Sequence, residues 1–162
     1  MINARASFAP LRRADAKILL AAVPQPEKWS PIFHVIDEVA GIRGVVPPGA
    51  LLTNSTGVDV LTPRSRGASV QSLLDDLPRA SLVHLACHGH QARGSPLDSG
   101  FVMADGMLTV SRLMALNLAH AFLAFLSACE SAKGDERQPD QAIHLAATML
   151  FAEFKSVVAT MW

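Results

Sequence analysis

Cysteine is scarce in this chain of 162 residues, which holds only Cys87 and Cys129. Two cysteines cannot build a disulfide framework. They fit a reducing compartment, where a thiol is structural, metal-bound or catalytic. Charge is also sparse: charged residues make up 17%, and 14 Lys+Arg balance 14 Asp+Glu for a formal net charge of zero. That balance removes the electrostatic footprint of a nucleic-acid binder or a polybasic membrane-surface protein. Long apolar runs are missing too. The longest, 18–23 and 121–126, fall far short of the roughly 20 residues of a spanning helix. There is no G-x-x-x-x-G-K-[ST] loop and no G-x-G-x-x-G, so nucleotide binding has no support. The expectation is a cytoplasmic protein that needs no cofactor and binds neither nucleic acid nor membrane.

Half of the residues are hydrophobic, enough for one domain with a sizeable core. Arg5, Arg12 and Arg13 precede the first acid, Asp15, and a poorly ordered segment is expected over 1–16, with the domain over 17–162. From Lys17, buried-strand runs alternate with amphipathic stretches. Strands are expected over Lys17–Val23, Ala50–Thr53, Ser81–Cys87, Ala121–Ala128 and Ser156–Trp162. Asp105-Gly106 between two short apolar pieces signals a hairpin. Ser30-Pro31 predicts a helix start, Ile32, Val35, Ile36 and Val39 its inner face, and Gly41 its end. Ser69 predicts the cap of a second helix, with Val70, Leu73, Leu74 and Leu77 inside and Pro78 as its stop. Val110, Leu113 and Met114 suggest a third. Ile143, Ala146, Met149, Leu150 and Phe154 mark a fourth. Strands apolar on both faces, joined by helical crossovers, predict an α/β domain with a mostly parallel sheet covered on both sides.

In such sheets reacting groups gather at the carboxyl ends of strands. One strand delivers His88 followed by Gly89, another Cys129 followed by a polar loop. If these strands are parallel neighbours in register, the two side chains meet on one edge. A thiolate attacks acyl carbon, and an imidazole that titrates near neutrality protonates a leaving amine. Glycine lets a substrate approach the backbone, and the amides of Gly89 and Cys129 are placed to face an oxyanion. The crowding of His84, Cys87, His88 and His90 also invites a zinc reading. Cys87 faces away from the three histidines on a strand, however, and no second ligand cluster follows. The expectation is no metal, with His84 a partnered interior side chain and Cys87 core. His34, His120 and His144 have no reactive neighbour in sequence. Asp98, Asp105, Asp135, Glu136 and Asp140 are loop acids that suit a basic-selective pocket or a solvated surface.

Three blocks carry a resemblance: Val83–Gly89 (VHLACHG), Leu126–Gly134 (LSACESAKG) and Ser156–Trp162 (SVVATMW). They resemble the signature blocks of CHAT domains, caspase-like cysteine peptidases related to separase, and most closely those of fungal proteins. The middle block is the most specific, with Ser-Ala-Cys followed by Glu130, Ser131 and Gly134. Residues 105–109 (DGMLT) resemble the family's hairpin and helix start. The resemblance implies a caspase-like three-layer sandwich, with the histidine after the third strand and the cysteine after the fourth. It implies His88 as catalytic histidine, Cys129 as nucleophile, and Gly89 and Cys129 as oxyanion donors. Asp105, Ala128 and Glu130 become substrate-pocket candidates, and a protein the substrate. Glu153 stands where the family usually has a small residue, often glycine, and Ser131 where threonine is commoner. Family members continue past the tryptophan into another strand and helix. The domain is thus expected to be incomplete at its C-terminus, with an exposed edge strand open to self-association. A catalytically inactive interaction module is the alternative reading, and a histidine-rich metalloprotein a weaker third.

Overall fold

The structure, a computed structural model, describes residues 10–52, 61–92, 95–128 and 143–159. Strand β1 (Ile18–Ala22) is the first apolar run, and four of its five residues are buried, as a strand covered on both faces requires. Alternation splits them. Leu19 and Ala21 enter one hydrophobic core, while Leu20 and Ala22 enter another on the opposite face.

Helix α1 (His34–Val45) starts later and runs further than the sequence suggests. Ser30-Pro31 does not open it, because the Ile32 N–H is already committed to the Pro24 carbonyl at 2.9 Å. Gly41 does not end it either: a Cβ on Gly41 or Gly44 would meet nothing, so both sit on the open side of the helix. The stop falls at Val46, ahead of Pro47-Pro48, where proline sterics push the preceding residue out of helical geometry. The expected strand over Ala50–Thr53 shrinks to a single parallel bridge between Leu51 and Ile18 after a 3-10 turn at Pro48–Ala50; Thr53 lies outside the described residues.

The polar loop Thr62–Gly67 ends at Gly67, whose φ of +91° favours glycine; a Cβ there would sit 2.1 Å from the Ala22 carbonyl oxygen. Helix α2 (Val70–Asp76) opens with a capping box, Ser69 and Ser72 each bonding the other's backbone N–H. A 3-10 turn, Leu77–Arg79, ends it around Pro78.

Strand β2 (Leu82–His90) reaches three residues beyond Cys87. The extension exists because His88, Gly89 and His90 find a second partner: they pair antiparallel with β3 (Gly100–Val102), which forms a hairpin with β4 (Met107–Thr109). Helix α3 (Val110–Met114) follows with Thr109 as its side-chain cap. Strand β5 (Leu123–Ala128) lies parallel to β2, and β6 (Ser156–Ala159) parallel to β5. The parallel core is therefore β1-β2-β5-β6, and the antiparallel hairpin adds to the far end of β2.

Two helical layers cover this sheet. Val35 and Val39 of α1 pack with Leu20, Ala22 and Ala86 on one face. On the other, Val70 and Leu73 of α2, Val110 and Leu113 of α3 and Leu145 and Met149 of α4 (Ile143–Phe151) enclose Val83, Leu85, Ala124 and Leu126. This is the three-layer α/β sandwich expected. The inner stripe of α4 differs from the expectation: Leu145, Thr148, Met149 and Ala152 are buried, while Leu150 is 53% exposed. Leu150 lies one residue past Met149, about 100° round the helix. The helix exits through Glu153 at φ +72°. Phe154 N–H returns to Met149 O and Glu153 N–H to Leu150 O, the pairing of a Schellman motif. Among the described residues, no helix is long and apolar enough to cross a membrane.

Candidate active site

Backbone pairing sets the site. Strands β2 and β5 run in parallel from Leu82 opposite Leu123 to Cys87 opposite Ala128. His88 is the next residue of β2. Ala128 is the last described residue of β5; Cys129 and Glu130 lie outside the described residues. His88 itself sits inside β2, the second described strand in chain order, rather than in a loop after a third. Gly89 is buried opposite Phe101 in the antiparallel section.

The loop between β1 and α1 folds onto this end of β2. Val23 N–H bonds Ala86 O at 2.9 Å, so the chain leaving β1 stays beside β2 until the prolines turn it. It brings Ser30 O to 2.8 Å from His88 Nε2. A carbonyl oxygen can only accept, so Nε2 carries the proton and donates it. The bond orients the ring, and with the proton on Nε2 the acceptor nitrogen of the neutral imidazole is Nδ1. Trp29 stands between two histidines, its ring centroid 5.6 Å from that of His88 and 5.3 Å from that of His90.

Asp105 is exposed at the hairpin tip, and its Oδ1 accepts the Val70 N–H at 2.8 Å, tying the hairpin to the start of α2. With Glu27, Lys28, Trp29, Val102 and Met107 it lines a cavity of about 190 Å³. That cavity adjoins His88 through Trp29, which touches its ring, and Val102, which pairs with it across the strands. Ala128 takes no part, since its side chain is fully buried in the larger core. A larger cavity, about 660 Å³, lies at the amino ends of the strands against Lys17, Arg79, Ser81 and His120. It is at the wrong edge of the sheet for His88, because parallel strands present their reactive groups at the carboxyl ends.

His84 lies on the α1 face of β2, stacked on Phe125 of β5 at 5.0 Å. Its Nε2 is 3.0 Å from Glu38 Oε1, a close approach without the alignment of a full hydrogen bond. Burial pushes the His84 pKa below its ordinary value, and the Glu38 carboxylate opposes that only in part. The shift favours the neutral form of the imidazole. The other oxygen of Glu38 accepts Ser127 Oγ–H at 3.1 Å. Cys87 is buried in the larger core, on the face opposite His84. Among the described residues no three His, Cys, Asp or Glu side chains are grouped to hold a metal.

Sequence reading missed Trp29, Ser30, Glu38 and Ser127. Ser30 acts through its carbonyl, which no residue type reveals. Ser127 stands within the Ser-Ala-Cys triplet, where attention went to the thiol beside it.

A parallel sheet between two helical layers, with a histidine anchored at its carboxyl edge, describes a caspase-like α/β sandwich. The family model of the CHAT domain matches residues 4–162, and the chain belongs to that caspase-like, peptidase-related family. The match begins ahead of the Lys17 boundary read from the sequence. No curated protein sequence matches the chain.

Proposed function

We propose that this chain is a cysteine-type endopeptidase domain acting on protein substrates. The Cys129 thiol passes its proton to His88 and its sulfur attacks the scissile carbonyl carbon, forming a C–S bond. Backbone amides of Gly89 and Cys129 donate to the resulting oxyanion. As the intermediate collapses, the C–N bond breaks and His88 protonates the departing amine. Water then adds to the thioester, and the acid product leaves as the thiol regains its proton.

The observation that carries this reading is the anchored imidazole. The Nε2–H donated to a loop carbonyl orients the ring, which supports a working role for its Nδ1. The β2–β5 register supports it, since Cys129 follows the residue paired with Cys87 and His88 follows Cys87 itself. The cavity beside Trp29 is lined by two acids, Glu27 and Asp105, against one cation, Lys28, and that balance supports a substrate carrying a basic side chain there.

The test is labelling with a peptidyl acyloxymethyl ketone carrying lysine or arginine before the warhead, followed by mass mapping. Adduct on Cys129 and not Cys87, lost in His88→Ala, is the expected result. Equal labelling of both thiols, or labelling indifferent to His88, sinks the peptidase reading and leaves an interaction module with the same fold.

A further inference from the structure

Glu38 joins three elements. It projects from the middle of α1, and its two carboxylate oxygens divide between neighbouring strands. Oε1 lies 3.0 Å from His84 Nε2 on β2, and Oε2 takes the Ser127 Oγ–H on β5 at 3.1 Å. His84 is four residues before His88, and Ser127 two before Cys129. Phe125 closes the group by stacking on His84 across the strands. Glu38 is only 27% exposed in its side chain, beside a cleft of about 460 Å³ whose other walls include Ile18, Leu20, Ile42, Leu123 and Phe125. A carboxylate beside such apolar walls is costly unless it is hydrogen-bonded, and the bond it accepts is the one from Ser127 on β5.

From this geometry we infer that Glu38 is a positioning residue for the peptidase site, fixing the end of β5 relative to β2 and so the approach of thiol to imidazole. The inference rests on the peptidase reading for what is positioned, and on the contacts of Glu38 alone for how. Backbone pairing by itself sets strand spacing to the width of a ladder. Nucleophile and acid need a tighter tolerance, because displacements of about 1 Å cost on the order of a hundredfold in rate. The carboxylate reaches β5 one residue before its last described position, beside the Cys87–Ala128 pair.

The experiment compares Glu38→Ala, Glu38→Gln, Ser127→Ala and the double variant Glu38→Ala/Ser127→Ala in the full chain. Two readouts are used: cleavage of a basic-residue fluorogenic peptide, and the second-order rate of Cys129 alkylation by iodoacetamide, each per folded molecule. Expected are a fall of about tenfold in kcat with little change in KM for Glu38→Ala and Ser127→Ala, and no further fall in the double variant. Glu38→Gln, which still accepts from Ser127, should recover most of the loss. A Ser127→Ala variant at the wild-type rate on both readouts, or a double variant whose loss is the product of two single losses, would overturn the inference. Ser127→Ala keeps the test alive if Glu38→Ala does not fold. If the wild type cleaves nothing, the peptidase reading fails separately. The alkylation rates then still decide whether Glu38 governs the environment of the thiol.

Discussion

The two faces of the sheet are built by different rules. On the α2–α3–α4 face the packing is almost wholly apolar, and Leu73, Leu85, Leu113, Leu126, Leu145 and Met149 are all nearly or fully out of water. On the α1 face the apolar cluster is smaller, and beside it sit Glu38, His84 and Ser127 in contact with one another. The first face holds the domain together. The second is where a loop carbonyl grips His88 and a carboxylate grips Ser127. The difference teaches that one strand can serve both purposes, because alternate residues of β2 point into unlike surroundings.

The comparison breaks most sharply at the residues proposed to react. Cys129→Ala should remove turnover altogether, and His88→Ala should lower kcat by about 10²–10⁴, with thermal unfolding nearly unchanged in both. A progress curve normalised to folded protein checks this; activity retained without His88 would erase the chemical role given to the α1 face. On the opposite face Leu85→Ala should lower stability by about 2–5 kcal/mol, measured by urea unfolding, while the folded fraction keeps its rate. A next smaller effect is expected from acid. Burial lowers the His84 pKa from its ordinary value of 6.5. The unfolded chain then takes up that proton more readily than the folded one. Stability is therefore complete above about pH 6.5 and is lost as pH falls toward the folded-state pKa. Melting temperature against pH should show this slope, and His84→Phe should flatten it. The smallest change is a gain: Glu153→Gly relieves a left-handed residue of about 1 kcal/mol and should raise the melting temperature by a few degrees.

Much of this was legible in the sequence. All six described strands announced themselves as short apolar runs or as the hairpin around Asp105-Gly106, and Ser69 and Pro78 bounded α2 correctly. Alternation along β2 separated the histidines from Cys87 before any coordinates. What was illegible was long-range. The start of α1 depends on Ile32 bonding Pro24, a contact between a turn and a pre-helical residue that local capping rules do not contain. The three-residue extension of β2 depends on β3, and the single bridge at Leu51 depends on β1. The role of Glu38 depends on Ser127 of β5, 89 residues further along the chain, which no local pattern reveals. The departure at Glu153 was visible, but only the φ of +72° showed why a glycine suits that place.

Strand β2 has a consequence beyond placing His88. Its first five residues are zipped between parallel neighbours, and its last three to a short hairpin anchored by Asp105. Tugging or melting that hairpin would fray the imidazole's backbone from one end while the rest of the strand stayed laced. Amide exchange should therefore rank β3 and β4 as the quicker layer and the 82–86 stretch as the slowest, with the histidine on the boundary between them.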